Sequence, residues 1–317
     1  MTKFKSMNVS FIATILNEEK TIEQLLVSLL KQTKKPDEVI IVDGGSTDKT
    51  IAKIKNFQKK HPSLKIKLII KKGANRAQGR NLAIQEAKNE IIAISDAGCQ
   101  LDKKWLENIT RPFQKPKTEV VAGYFHAQAK NIFEECNATF TLTVPHRINP
   151  KTFLPASRSM AIRKSTWKKA GGFPENFPDN EDFVFAHKLK KLKAEIVFCP
   201  EAIVYWRPRS TVKSFWLMIY RFARGDAFAG LRTLKTTFII GRSFLGIAMV
   251  YFSLKHPKLI PITAVLVLAY FLWPLIKNYR YIKKWPAIFL LPFLQMLTDS
   301  AIVIGALHGI KKKIVRT

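Results

Sequence analysis

Short apolar runs alternate with amphipathic helical segments through the first third of the chain, and this alternation allows few folds. Residues 9–16, 38–42, 65–70 and 90–95 have strand patterns, and helical patterns separate them. Continuous apolar runs between helices are typical of parallel strands that are buried on both faces. The sequence therefore predicts an α/β fold with a Rossmann-like, mostly parallel sheet flanked by helices.

Two of these strands lead into an aspartate. Asp43 follows residues 39–42, and Asp96 follows residues 91–95. In open α/β sheets, ligands bind beyond the carboxyl ends of the strands, so we expect both carboxylates to face one crevice. The pair of Glu181 and Asp182 further along the chain adds candidate acid–base groups. This combination suits a nucleotide, a divalent metal and a reacting hydroxyl.

The chain is strongly basic. Its 317 residues include 53 Lys and Arg against 23 Asp and Glu, a formal net charge of +30. Such an excess predicts an anionic partner, which is a phosphorylated substrate, an anionic membrane face or nucleic acid. Nucleic acid is not expected, because the lysines are scattered through amphipathic helices and do not form a basic face with stacking aromatics.

Three long apolar stretches, residues 236–254, 259–276 and 286–307, follow a change of composition near residue 235. Each approaches or reaches the roughly 20 residues that a helix needs to cross a bilayer. Buried helices of a soluble domain are the alternative. The short apolar stretch within residues 1–19 lacks a small-residue cleavage site, and we interpret it as the first strand rather than a signal peptide.

The basic residues before the first stretch predict that the N-terminal part lies in the cytoplasm, under the positive-inside rule. Arg242 makes that stretch the weakest spanning candidate, since a charge in hydrocarbon is costly. We favour three membrane crossings. Two crossings, with the first stretch lying in the membrane interface, are the alternative.

Several motifs, in their order and spacing over residues 8–230, resemble family-2 glycosyltransferases, which are nucleotide-sugar enzymes of the GT-A fold. These motifs are VSFIATILNEE, VIIVDGGSTDKT, GRNLAIQEAKNEIIAISDAG, ASRSMAIRKSTWKKAGGFPE, NED and YWRPRSTVKSFWLMIYRFARGD. The last one is similar to the segment before the membrane helices of membrane-attached bacterial and archaeal members. The resemblance implies a catalytic domain at residues 1–234, with an interface helix at about residues 211–230, and a membrane region at residues 235–317 with two to three transmembrane helices.

The resemblance places the nucleoside at the ends of the first two strands. Asp43 corresponds to the first carboxylate of the family's Asp-Asp-Gly-Ser turn, whose second position is Gly44 here. A carboxylate there accepts hydrogen bonds from a base or a ribose hydroxyl. Thr14 and Glu18 are its expected neighbours on the nucleotide-sugar side. The alternative for Asp43 is that it caps a turn.

Asp96 matches the first acidic residue of the family's Asp-x-Asp motif, which holds Mg²⁺ or Mn²⁺ against the diphosphate. The second acidic position is Gly98 here, which departs from the family's metal motif. Asp102 is near in sequence, but we interpret it as a helix cap. Arginines suit the diphosphate because they grip phosphate through paired N–H donors. The expected phosphate ligands are Arg80, Arg158 and Arg224, and Arg76 and Arg221 are further candidates.

The resemblance places the catalytic base at Asp182, with Glu181 orienting it or touching the acceptor. In an inverting transfer, such a carboxylate removes the proton of the acceptor hydroxyl. The alternative is that both acidic residues favour the N-terminus of the helix that they begin.

Taken with the membrane region, the resemblance implies an inverting glycosyltransferase at the cytoplasmic face of the cell membrane. It would move a sugar from a UDP- or GDP-sugar to a lipid-linked or polysaccharide acceptor. An inactive sugar-nucleotide-binding membrane protein is one alternative, and a nucleotidyltransferase is another. The latter would be expected to carry a Gly/Arg/Lys-rich phosphate loop after its first strand, where this chain has Asn17, Glu18 and Glu19.

Overall fold

The computed structural model describes residues 7–142, 148–177 and 179–315. The chain forms two units, each drawn from separate segments. The first unit comprises residues 1–128, 145–176 and 181–206. The second comprises residues 129–144, 177–180 and 207–317.

The first unit is built on an eight-stranded sheet. Its strands are β1 (Val9–Ile15), β2 (Glu38–Asp43), β3 (Ile66–Ile70), β4 (Ile91–Ile94), β5 (Cys99–Leu101), β6 (Val120–Ala127), β7 (Met160–Arg163) and β8 (Ile196–Trp206). Their order across the sheet is β3-β2-β1-β4-β7-β6-β8-β5. The first four strands pair in parallel, whereas β7 lies antiparallel between β4 and β6. The prediction of an α/β sheet is confirmed, and the sheet is mixed beyond β4.

The helices fall into both units. They are α1 (Ile22–Leu30), α2 (Thr50–Lys60), α3 (Arg76–Glu86), α4 (Trp105–Thr110), α5 (Ile132–Thr141), α6 (Lys164–Lys169), α7 (Glu181–Lys191), α8 (Val212–Ala229), α9 (Thr233–Lys255), α10 (Ile260–Asn278) and α11 (Ala287–Ile314). In the first unit, α3 and α7 pack on the buried apolar residues of β1, β2 and β4. This packing brings the first turns of both helices to the sheet edge that carries Asp43 and Asp96.

The second unit contains the long apolar helices. Within the described residues, three helices are long and apolar enough to cross a membrane, at Thr233–Lys255, Pro257–Tyr281 and Ala287–Ile314. They overlap the three stretches expected from the sequence, and many of their large apolar side chains are exposed. Helices α8 and α11 approach each other closely at Gly305 and Gly309. A Cβ on either glycine would lie only 2.4 Å from a carbonyl oxygen of α8, so a larger residue would not fit there.

Arg242 in α9 has partners on two other helices. Its Nη2 donates to Asp299 Oδ2 of α11 at 2.6 Å, and the hydroxyl of Tyr270 in α10 donates to the same oxygen at 2.8 Å. The Gln295 amide donates to the other carboxylate oxygen at 3.0 Å. The charge that weakens the first apolar stretch as a spanning helix is therefore paired within the unit, which lowers the cost of placing it in hydrocarbon.

Candidate active site

The carboxylate of Asp43 organises the turn that follows β2. It is fully buried and accepts the backbone N–H groups of Gly45 and Ser46 at 2.8 and 2.7 Å, and the Ser46 hydroxyl at 2.6 Å. The turn-capping role considered from the sequence is therefore present. Contact between Asp43 and a nucleoside stays a prediction.

Gly44 stands where the family turn has its second aspartate, and backbone lies close beside it. A Cβ at this position would lie 2.9 Å from the carbonyl oxygen of Ala74. The N–H of Gly73 also donates to the Gly44 carbonyl at 2.9 Å, so the loop after β3 closes on this turn. Any side chain at residue 44 would have to displace that loop.

Thr14 and Glu18 lie at the carboxyl end of β1, next to the Asp43 turn in the sheet. The Thr14 methyl group packs against Gly79 of α3, where a Cβ would lie only 2.7 Å away. The Glu18 carboxylate accepts the Thr21 hydroxyl, and its backbone N–H donates to the Thr50 hydroxyl at 2.8 Å. Both residues hold the loops of this edge together, and their contact with a nucleotide sugar stays a prediction.

Arg80 is the buried centre of the site. Helix α3 begins with a capping box formed by Asn75 and Gln78. Arg80 follows within the next turn and is 3% exposed. Its Nη1 donates to Glu181 at 2.6 Å and its Nη2 to Asp96 at 3.1 Å. Since both ends of the guanidinium fork contact protein carboxylates, Arg80 ties the end of β4 to the start of α7.

Asp96 is ionised and partly open to solvent. Its side chain is 36% exposed. Burial opposes ionisation, but the charges of Arg80 and Arg158 outweigh burial and hold the pKa of Asp96 below its usual value. Burial lowers the pKa of Arg80, but the negative charges of Asp96 and Glu181 raise it above its usual value. In the described part of the chain, Asp96 Oδ2 accepts no hydrogen bond, so this oxygen is available to a ligand.

Arg158 lies against two aromatic rings. Its guanidinium carbon lies 4.4 Å from the ring centroid of Trp206 and 5.1 Å from that of Phe125. Its Nε is buried and has no hydrogen-bond partner among residues 7–142, 148–177 and 179–315. The charge of Arg158 also lowers the pKa of Asp96, so the two side chains are close enough to interact electrostatically. Contact between Arg158 and a diphosphate stays a prediction.

Glu181 and Asp182 begin α7, and their environments differ. Glu181 is 5% exposed, and its two oxygens contact Arg80 at 2.6 Å and Arg76 at 3.3 Å. Asp182 is only partly buried, and no Lys or Arg lies within ion-pair distance of it in the part of the chain that is described. Its Oδ2 accepts the N–H of Ser157 at 3.3 Å and the Ser157 hydroxyl at 3.2 Å. Glu181 is therefore committed to ion pairs, while Asp182 keeps the freer carboxylate.

Ser157 is a site residue that the sequence alone does not reveal. It lies in the ASRS motif, but an uncharged side chain in a loop carries no spacing or charge signal that would single it out. Trp206 and Phe125 were missed for the same reason, since their role depends on tertiary contact with Arg158.

Arg224 belongs to the second unit and has a carboxylate partner there. Its Nε and Nη2 donate to Asp179 Oδ2 at 2.9 and 2.5 Å. Gly225 permits this approach, because a Cβ there would lie 2.8 Å from the Asp179 carbonyl oxygen. The guanidinium therefore stabilises the segment that precedes α7, and contact with a diphosphate stays a prediction.

Residues 10–168 match the sequence profile of Glycosyl transferase family 2. This chain belongs to that family. The sequence motifs predicted this membership, and it favours a glycosyltransferase over a nucleotidyltransferase.

Relatives and a solved structure extend the comparison. The chain is 25% identical over 303 residues to the poly-β-1,6-N-acetyl-D-glucosamine synthase of Staphylococcus epidermidis, covering 89% of this chain and 69% of the relative. It is 26% identical to the dolichyl N-acetyl-α-D-glucosaminyl phosphate 3-β-D-2,3-diacetamido-2,3-dideoxy-β-D-glucuronosyltransferase of Methanococcus voltae, covering 96% and 97%. A mannosyltransferase of Pyrobaculum calidifontis, solved with GDP-Man and Mn²⁺, superposes with a TM-score of 0.63 at 18% identity, covering 96% of this chain and 88% of that structure.

The structural likeness shows that the fold is GT-A. Family and fold together indicate a nucleotide-sugar-dependent glycosyltransferase. The match covers 96% of this chain and 97% of the Methanococcus relative, so it extends into the region of the long apolar helices.

The residues near Asp96 fit a divalent metal that takes most of its ligands from the diphosphate of a bound donor and from water. No three His, Cys, Asp or Glu side chains form a metal-binding group among the described residues. Asp96 nevertheless offers one ionised carboxylate with an available oxygen. Mg²⁺ and Mn²⁺ bound to phosphates commonly use one or two carboxylates and keep several waters. Asp96 with a diphosphate therefore fits such a metal.

Gly98→Asp is expected to strengthen metal binding. A Cβ at residue 98 would meet no atom within 4 Å, so the side chain has room. A second carboxylate near Asp96 should raise the affinity for Mn²⁺ about tenfold, because hard cations bind more tightly as anionic oxygen ligands are added. Calorimetric titration of Mn²⁺ with and without nucleoside diphosphate measures this. Gly98→Asn is the matched control without charge, and an equal gain in that variant would contradict the expectation.

Proposed function

We propose that the protein is an inverting glycosyltransferase that moves a sugar from a UDP- or GDP-sugar to a lipid-linked or polysaccharide acceptor at the cytoplasmic face of the membrane. The observation that carries the proposal is the pair of unlike carboxylates at the start of α7. Glu181 forms ion pairs with Arg76 and Arg80, while Asp182 has no ion-pair partner in the described residues. A single carboxylate that can accept a proton suits a one-step displacement.

In that reaction, Asp182 removes the proton of the acceptor hydroxyl while the hydroxyl oxygen attacks the anomeric carbon of the donor sugar. The nucleoside diphosphate leaves from the opposite face of the sugar, so the configuration at that carbon inverts. Arg158 interacts with the charge of Asp96 and supplies positive charge for the leaving phosphates. A divalent metal held by Asp96 would neutralise further charge on the diphosphate.

The donor side of the proposal is supported by the fold. The Pyrobaculum mannosyltransferase that shares it was solved with GDP-Man and Mn²⁺. In this chain, Asp96 follows the parallel strand β4, beside β1 and β2. Thr14, Glu18 and Asp43 lie at the ends of those two strands, where the nucleoside of a donor would bind.

The acceptor side is supported by the membrane region and by the names of relatives. One relative is a poly-N-acetylglucosamine synthase, and another acts on a dolichyl-linked sugar phosphate. We assign residues 1–234 to the catalytic domain, including an interface helix at α8, and residues 235–317 to a multi-pass membrane region. Three crossings are favoured because Arg242 is paired with Asp299.

Donor binding and product stereochemistry test the function. The full-length protein in detergent is screened by thermal denaturation against UDP- and GDP-sugars, with and without Mn²⁺. A donor at a hundred times its dissociation constant should add about 2.7 kcal/mol to the free energy of unfolding. The stabilising donor is then used for transfer, and proton NMR gives the anomeric configuration of the first product. Retained configuration, or no stabilisation by any donor, would contradict the proposal.

Membrane attachment is tested separately. The full chain should remain in the membrane pellet after a carbonate wash, because spanning helices resist treatments that remove surface charge attraction. A variant that ends at residue 234 keeps the proposed interface helix α8 but none of the three long apolar helices, and the same wash should release it. Release of the full chain by carbonate would contradict the assignment of spanning helices.

A further inference from the structure

Ser157 lies between the two carboxylates to which the proposed function gives roles. It precedes β7 and is 2% exposed. Its hydroxyl is 3.2 Å from Asp182 Oδ2 and 3.5 Å from Asp96 Oδ1. Its backbone N–H also donates to Asp182 Oδ2 at 3.3 Å.

The hydroxyl has one proton for these two acceptors. Asp96 Oδ1 already accepts from Arg80 at 3.1 Å. Asp182 Oδ2 has no cation within ion-pair distance among the described residues, and it is the nearer acceptor. The proton is therefore better placed on Asp182, where it joins the backbone N–H on the same oxygen.

We propose that Ser157 is a positioning residue that fixes the plane of the Asp182 carboxylate. This rests on the proposed function, in which Asp182 is the base. The terminal torsion of an aspartate is broad, so a partly exposed carboxylate rotates unless donors hold it. Two donors on Oδ2, together with the N–H of Phe183 on Oδ1 at 2.9 Å, define one orientation. A base held in one orientation stays aligned with the acceptor proton, and small misalignment strongly lowers the rate.

Ser159, two residues further on, provides a matched comparison. It is also buried, but its hydroxyl accepts the indole N–H of Trp105 at 2.8 Å and donates to the Ala202 carbonyl at 3.0 Å. It contacts neither Asp96 nor Asp182. Loss of this hydroxyl should affect stability without a specific effect on turnover.

The experiment combines Ser157→Ala with Asp182→Asn in the full-length protein. Ser157→Ala should lower kcat about 10- to 100-fold, the effect expected when a hydrogen bond to a charged group is lost. The donor dissociation constant, measured by calorimetry, should change less than about twofold, since the residue acts through the base. In the Asp182→Asn background, Ser157→Ala should cause no further loss. Ser159→Ala should keep kcat near that of the unmodified protein.

Independent losses would overturn the proposal. If Ser157→Ala lowers kcat by the same factor with and without Asp182, the hydroxyl does not act through that carboxylate. A parallel loss of donor affinity and turnover, or a loss matched by Ser159→Ala, would also overturn it. Each of these outcomes leaves the base assignment intact, because that assignment depends on Asp182→Asn alone. Unreduced turnover of Asp182→Asn would instead remove the base and this proposal together.

Discussion

Asp182→Asn is expected to lower kcat by about 10²–10⁴, the usual contribution of a general base. The amide keeps the size of the side chain but cannot accept the proton of the acceptor hydroxyl. If Asp182 is the base that we propose, donor affinity should change less than about twofold, because a base acts on the acceptor hydroxyl. Steady-state transfer and calorimetric donor binding on the same preparation measure both quantities.

Asp102→Asn is the matched control for this change. Asp102 Oδ1 accepts the N–H of Lys104 at 2.9 Å just before α4, and an amide oxygen can accept the same bond. Turnover of this variant should stay close to that of the unmodified enzyme. Near-normal transfer by Asp182→Asn would remove the base assignment. Equal loss of binding and turnover would mean that Asp182 supports the nucleotide pocket or the fold.

The parallel half of the sheet was predictable because its signals are local. Runs such as residues 39–42 and 91–95 are apolar throughout, as strands buried on both faces require. An aspartate directly after such a run must lie at the carboxyl edge, so the positions of Asp43 and Asp96 follow from strand direction. The start of α7 at Glu181 was predictable for the same reason, since acidic residues followed by a helical pattern favour a helix N-terminus.

The side-chain contacts within the site could not be predicted from the sequence, because they join segments that are far apart in the chain. Arg80 and Glu181 are separated by 101 positions in the chain, and Ser157 and Asp96 by 61. The resemblance placed Arg80 near the diphosphate, but it could not show that both ends of its guanidinium contact protein carboxylates. Gly44 shows the same limit, since the carbonyl of Ala74 that excludes a side chain there comes from another loop.

Loss of Arg80 should strongly lower the stability of the first unit. Arg80→Gln leaves Glu181, which is 5% exposed, without its closest partner and removes the link to Asp96. Breaking a buried ion pair costs about 3–5 kcal/mol, because the remaining charge stays desolvated. For a domain of this size the melting temperature should fall by roughly 6–20 °C. Thermal denaturation of the detergent-solubilised protein measures the change.

Arg76→Gln separates the effect of burial from the effect of charge. Arg76 lies one turn before Arg80 on α3 and contacts the same carboxylate at 3.3 Å, but its side chain is 57% exposed. An exposed pair contributes only about 0–1 kcal/mol, so this variant should melt within a few degrees of the unmodified protein. If the two variants melt alike, the contacts of Arg80 with Glu181 and Asp96 contribute no more to stability than the exposed Arg76 pair. If Arg80→Gln melts at a much lower temperature than Arg76→Gln and also loses donor binding, then one buried guanidinium both supports the fold and holds the Asp96 carboxylate in place.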